Sequence, residues 1–289
     1  GFMSLLWMLT SATALAPQAR TRVSPRLCTP SPSAKTALLT AIAAFDEATA
    51  ADGMPNVDFG VKGGELDSDT RAPRDLYAVG AYHAVSPRVG TAADDVLAAV
   101  DTLAAANPMA RPTEGLGTND GPSVCPLHGS WSNLFTTAAD AVFSPDSKRG
   151  AAAVYNVVDA SNGRVTNCID FMPRDHPAFR ATRQTGRPPS PVESLRVRLT
   201  SKAASATRVE LVFRNVCVQL NRVFGLPLRV KLVIPVPGPF VTRLLFLFRP
   251  KKRPPPAYFD VLYLDADLRV HKTGQGNVFV QRRLSSTAN

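Results

Sequence analysis

The chain has 289 residues, 45% of them hydrophobic, enough apolar side chain for a substantial core, which excludes a chain disordered throughout. Its 25 prolines and 18 glycines break it too often for a helical bundle. The net charge of +10 is uneven: Arg20, Arg22, Arg26 and Lys35 precede the first acid, Asp46, and a run of basic residues lies between Leu226 and Phe259 with no acid among them.

That pattern is a local basic patch, not a basic protein, and it lacks the interleaved aromatics of a single-strand platform, so no nucleic-acid partner is expected. Four cysteines, Cys28, Cys125, Cys168 and Cys217, show no CxxC spacing, which argues against a disulfide framework or a zinc site. Cys125-x-x-His128 supplies half a metal site without a second half, so no metal and no cofactor are expected.

Residues 1–33 read as a bipartite leader. Phe2 to Leu9 is a short apolar run, too short to span a bilayer, and Ala12-Thr13-Ala14 fits the small-x-small cleavage rule. An acid-free stretch rich in Ser, Thr, Pro and Arg follows, the composition of a transit peptide. The arrangement resembles the leaders of proteins sent to plastids of secondary origin, with Leu15-Ala16-Pro17 where their cleavage motif has Phe-Ala-Pro. A plain secretory signal or a mitochondrial leader is the alternative reading.

Residues 34–50 carry apolar side chains at helical spacing. Residues 51–90, rich in Gly, Asp and Pro, read as a loop or insert. A second helix is expected over 91–108, capped by Thr91 and stopped by Asn107-Pro108. It opens the main domain, 91–289. From Gly129 the period changes to two. Ala152 to Phe171 forms two runs joined across Asn162-Gly163, a hairpin signal. In the next two runs Leu195, Val197 and Leu199 alternate with Arg196 and Arg198, and Val209, Leu211 and Phe213 alternate with polar residues. Tyr258 to Val270 and Gly276 to Leu284 are expected to be the last two strands, around a turn at Thr273 to Gly276. The fold class that follows is mainly β with N-terminal helices, a meandering antiparallel barrel.

Several segments together resemble the plastid lipid-associated proteins, also called plastoglobulins or fibrillins. The similarity runs from about Ala34 to Leu284, interrupted at 51–90. It rests on "LAAANPMARPTE" (103–114), on "LHGSWSNLFTT" (127–137) with Gly129, Trp131 and Phe135, on "IPVP" (234–237), and above all on "YLDADLRVHKTGQGNVFV" (263–280). There Asp260, Tyr263, Asp265, Asp267, Arg269, Gly276, Asn277, Phe279 and Val280 fit the family motif. Lys272-Thr273 departs from the family's Arg-Gly, with the turn glycine moved to Gly274.

The resemblance implies a lipocalin-like antiparallel β-barrel, association with plastoglobules or thylakoids, and apolar lipid partners such as prenylquinones, carotenoids or fatty acids. It carries no catalytic residue, and none is expected. The sequence also lacks Gly-x-Ser-x-Gly, a phosphate loop and His-Glu-x-x-His, and His83, His128, His176 and His271 show no metal spacing. Two alternatives remain. One is a lipocalin-type enzyme acting on a carotenoid or prenylquinone, with Asp159 or Asp170 as acid–base group. The other is an adaptor for a plastid lipid-biosynthesis enzyme.

Within such a barrel Trp131 is expected at the floor under a C-terminal arginine such as Arg282, with Phe135, Tyr155, Phe171 and Phe213 as interior candidates for lipid contact. Asp265 and Asp267, two apart on a strand, are read as a hairpin edge paired with Arg269 or a neighbouring strand; a metal pair is the alternative. "LLFLFRPKKR", with Arg243, Phe246, Phe248, Arg249, Lys251, Lys252 and Arg253, suits the surface of an anionic membrane or lipid droplet.

Overall fold

The computed structural model describes residues 32–53, 57, 59, 86–138, 141, 152–171, 191–224, 226–236 and 257–284. The leader, most of the 51–90 insert and the whole of 243–253 lie outside them.

Helix α1 (Pro32–Ala51) places Leu38, Ile42, Phe45 and Ala48 on one stripe, and all four are buried. Helix α2 (Pro87–Ala105) starts four residues before the predicted point. Its cap is Ser86, not Thr91: the Ser86 Oγ accepts the Val89 N–H at 3.2 Å and Pro87 occupies the first turn, where no N–H is needed. Val89, Ala93, Val96, Val100 and Leu103 form its buried face. Helix α3 is a single turn, Gly121–Val124.

Nine strands follow among the described residues: β1 (Gly129–Thr136), β2 (Ala152–Asp159), β3 (Arg164–Phe171), β4 (Val192–Ala203), β5 (Arg208–Leu220), β6 (Val230–Pro235), β7 (Ala257–Leu264), β8 (Leu268–Thr273) and β9 (Val278–Arg283). Eight of them close an antiparallel barrel in the order β1-β2-β3-β4-β5-β7-β8-β9, with β9 returning to β1. Strand β5 is long enough to serve two partners on one edge. Its first residues, Arg208 to Leu211, pair with β7, and Asn215 to Leu220 pair with β6. Closure satisfies backbone groups that an open sheet would leave at its edges, which is why a sequence of short alternating strands is stable this way.

The C-terminal motif holds three strands where the sequence reading gives two. Asp265-Ala266-Asp267 is a turn between β7 and β8, closed by the Asp265 N–H donating to Leu268 O at 3.0 Å. The Asp265 carboxylate also accepts the N–H groups of Asp267 and Leu268, an arrangement that favours a tight turn over a continued strand. The predicted β2–β3 hairpin is present, with Gly163 at φ 59; a Cβ there would meet Ser201 O at 2.7 Å.

Two apolar cores result. One lies outside the barrel wall, where α1 and α2 cover Phe135, Tyr263, Leu268, Val270, Val278 and Val280. The other fills one end of the barrel, with Trp131, Val158, Val165, Leu199, Val209, Val261 and Leu264 packed under Cys125 and Leu127.

Candidate functional site: the barrel interior

Strand register assigns the interior. Trp131 opposes Asn156 on β2 and Arg283 on β9; Gln281 opposes Asn133 on β1 and Arg269 on β8. Side chains of opposed residues share a face, so these six line the lumen together. A hydrogen bond of 2.7 Å from Arg269 Nη2 to Asn156 Oδ1 confirms it, since β8 and β2 are not neighbours and can meet only through the inside.

The floor is closed. Trp131 is fully buried and its Nε1–H donates to Leu127 O at 3.0 Å. Burying an indole of this size is worth about 4 to 6 kcal/mol from area alone. The arginine that seals this end is Arg283, where Arg282 was expected. Its guanidinium carbon lies 4.1 Å from the indole centre, and it donates to the carbonyls of Pro126, His128 and Ala266. Arg282 opposes Ser132 and Leu268 on the outer face and is exposed. Gly129 has φ 122, and a Cβ there would come within 2.7 Å of Arg283 Nη1. Glycine at that position makes the seal possible.

Above the floor runs a polar belt. Arg269, 1% exposed, donates from Nε to Gln281 Oε1 at 3.0 Å and from Nη2 to both Gln281 and Asn156. Asn156 Nδ2 donates in turn to Asn167 Oδ1 at 2.7 Å. Burial pulls the Arg269 guanidinium down to about 9, with the charge of Arg283 adding to the effect, so it remains a cation at neutral pH. One turn of the pleat further along β8, His271 is stacked on Phe279 at 5.0 Å and tilted against Phe259 at 4.8 Å. Burial, and then the Arg269 charge, hold this imidazole well below its ordinary range, so it is neutral.

Beyond the belt the inward-facing positions change character. Val154, Ile169, Leu195, Val197, Leu211 and Phe213 are only half-buried although their registers point them inward, and Asn167 is exposed. The floor side chains are buried, while several of those along the rest of the inward rows stay partly exposed.

Of the interior candidates, Trp131 is the floor, and Phe171 and Phe213 point inward and are half-buried. Phe135 and Tyr155 are not interior. The β1–β9 register shifts between Asn133 and Phe135, and this bulge turns Phe135 outward onto Phe45 (5.2 Å) and Phe59 (5.7 Å). Tyr155 is on the outer face, its hydroxyl donating to Asp170 Oδ2 at 2.9 Å beside Arg196. Asp159 and Asp170 also face outward: Asp159 holds the hairpin through Ser161 and Asn162, and Asp170 pairs with Arg196 at 2.6 Å.

Asp265 and Asp267 pair with Lys35 of α1, at 2.8 and 3.3 Å, and not with Arg269. Tyr263, buried on the outer wall, donates its hydroxyl to Asp265 Oδ2 at 2.7 Å. Burial would raise the Asp265 carboxyl, but hydrogen bonds from Lys35, Tyr263 and two backbone N–H groups outweigh it and leave it below the usual range. No cluster of three metal-ligating side chains occurs among the described residues. Cys125 is buried, and His128 Nδ1 accepts the Ala160 N–H at 3.3 Å. Gly276, at φ 97, makes the β8–β9 turn.

Sequence reasoning missed Asn133, Asn156, Asn167, His271 and Gln281. The signal available was a polar residue at an inward parity of a strand, but parity is readable only once the bulges and the β7–β8 turn are known.

The PAP_fibrillin family model matches residues 85–282, which include helix α2 and the barrel strands but for the last residue of β9, Arg283. No curated protein and no solved structure matches the chain. The chain belongs to the plastid lipid-associated protein/fibrillin family.

Proposed function

We propose that this protein is a non-enzymatic lipid carrier and structural protein of the plastid, associated with plastoglobules or thylakoids, that holds one apolar lipid in its barrel. The observation that carries the reading is the division of the interior between a sealed floor at Trp131 and inward-facing apolar side chains above it that stay partly exposed. Prenylquinones, carotenoids and fatty acids are the ligand classes in view. Family membership supports the plastid and lipid association.

The described surface adds a feature suited to lipid contact. The connection from β5 to β6 exposes Phe224 completely, with Leu226, Leu228 and Val233 also exposed, and Arg222, Arg229 and Lys231 lie among them. Apolar side chains for the acyl layer beside cations for anionic head groups are what an interfacial segment needs. The 243–253 segment, outside the described residues, has the same composition and belongs to the same proposal. The acids considered for an enzymatic role, Asp159 and Asp170, point away from the lumen.

Native mass spectrometry of the full chain after incubation with plastid lipid extract tests the reading. A complex with one lipid per chain is the expected result. A bare chain that also fails to float with lipid droplets overturns it.

A further inference from the structure

Arg269 is a buried cation with no counter-ion among the described residues. Its contacts are the neutral amides of Gln281 and Asn156 and the Trp131 ring, 4.9 Å from its guanidinium carbon, none of them anionic, and its Nη1 has no hydrogen-bond partner among the described residues. The acids on neighbouring strands do not reach it. Asp159, Asp170, Glu210 and Asp260 have outward registers, and Asp265 and Asp267 are engaged with Lys35 outside the wall. A guanidinium buried in this way is costly unless something anionic joins it. Two further orphaned atoms stand beside it. Asn133 Oδ1 lies in the same cross-strand row, and His271 Nδ1 lies one inward position further along β8.

Resting on the reading of the lumen as a lipid site, we propose that Arg269 anchors the carboxylate of a long-chain acid, held head-down on the polar belt. One carboxylate oxygen accepts from Arg269 Nη1, and the other is placed to accept from the Nδ1–H tautomer of His271. The acyl chain runs away from the sealed floor along Val154, Ile169, Leu195, Val197 and Phe213. A neutral head, whether a quinone, an ester or an alcohol, would supply hydrogen bonds but leave the buried charge uncompensated. The site therefore selects acids over their neutral analogues.

The chain has two tryptophans, Trp7 and Trp131, so the full chain carrying Trp7→Phe reports on the barrel floor alone. Its fluorescence is titrated with oleate, oleyl alcohol and methyl oleate near neutral pH. Oleate is expected to bind at least about tenfold more tightly than either neutral lipid. Arg269→Gln is expected to erase that ratio by weakening oleate far more than oleyl alcohol. Equal affinity for all three lipids, or an oleate preference that survives Arg269→Gln, overturns the anchor and leaves the lumenal lipid site standing. Binding of none of the three overturns the lumenal site itself. Should Arg269→Gln fail to fold, Arg269→Lys, which keeps the charge, is titrated in its place: retention of the oleate preference supports the anchor, and its absence in the wild type overturns it.

Discussion

Lys35 and Asp265 are 230 positions apart in sequence, and the Nζ of one lies 2.8 Å from the Oδ2 of the other. The contact fixes helix α1 to the β7–β8 turn, and Asp265 is its hub, since the same carboxylate takes Tyr263 and two backbone donors. Asp265→Ala would leave these donors unpaired in a partly buried place. The expected cost is about 2 to 3 kcal/mol in urea unfolding. The carboxyl is held below its unfolded value, so its contribution is present above the ordinary carboxylate range and is lost as pH falls through the depressed folded value. The wild-type advantage over Asp265→Asn should therefore shrink toward zero in strong acid; a gap independent of pH would contradict the assignment.

Arg283 seals the floor through three backbone carbonyls and the Trp131 ring. Arg283→Met keeps the stem but strands those acceptors, with an expected loss of about 2 to 4 kcal/mol. Gly129→Ala should also destabilise, by about 1 to 3 kcal/mol, because it combines a left-handed backbone with a Cβ driven into the guanidinium. Calorimetric melting of both variants checks the pair.

His271 is held neutral by burial and by Arg269. An unfolded histidine takes up a proton below about pH 6.5, whereas the folded one resists, so the unfolded state gains on acidification. Wild-type stability should fall below that point by up to about 1.4 kcal/mol per pH unit from this group. His271→Leu should flatten that part of the curve. Denaturant midpoints across the acid range decide it.

Phe135 and Phe213 separate fold from ligand. Phe135 belongs to the core under the helices, so Phe135→Ala should cost about 3 to 5 kcal/mol and leave lipid stoichiometry unchanged. Phe213 points into the lumen opposite Leu199 and is only half-buried against the floor cluster. Phe213→Ala should cost less and alter ligand affinity. Paired melting and lipid titration would reveal an exchange of these roles.

Phe224 has φ 52 and is fully exposed, a conformation that aspartate tolerates better than phenylalanine. Phe224→Asp with Leu226→Asp should change stability by no more than about 0.5 kcal/mol. It should also reduce flotation with vesicles rich in phosphatidylglycerol. Undiminished flotation would remove the β5–β6 connection from the lipid-contact surface.

Much of the barrel was legible because alternation and turn chemistry are local. The β2–β3 hairpin follows from Asn162-Gly163 between two period-two runs, and Leu195, Val197 and Leu199 declare one face of β4. Faces failed where the period slips by one. The bulge at Leu134 sent Phe135 to the helices, and the Asp265–Asp267 turn split one expected strand into two. A shift of one residue reverses every side chain beyond it, and no local signal marked either place.

The sequence by itself determined the fold class, the two helices and the family motif that closes the sheet, because each rests on patterns within single segments; the tryptophan at the barrel floor came from the family resemblance. Only the tertiary structure decided which arginine does what. Arg269, Arg282 and Arg283 look alike on the C-terminal strands, yet register sends the first to the amide belt beside the indole, the second to solvent and the third to the floor carbonyls and the indole face. Their roles depend on which strands meet across a closed barrel, and that pairing is set by contacts between segments more than a hundred residues apart.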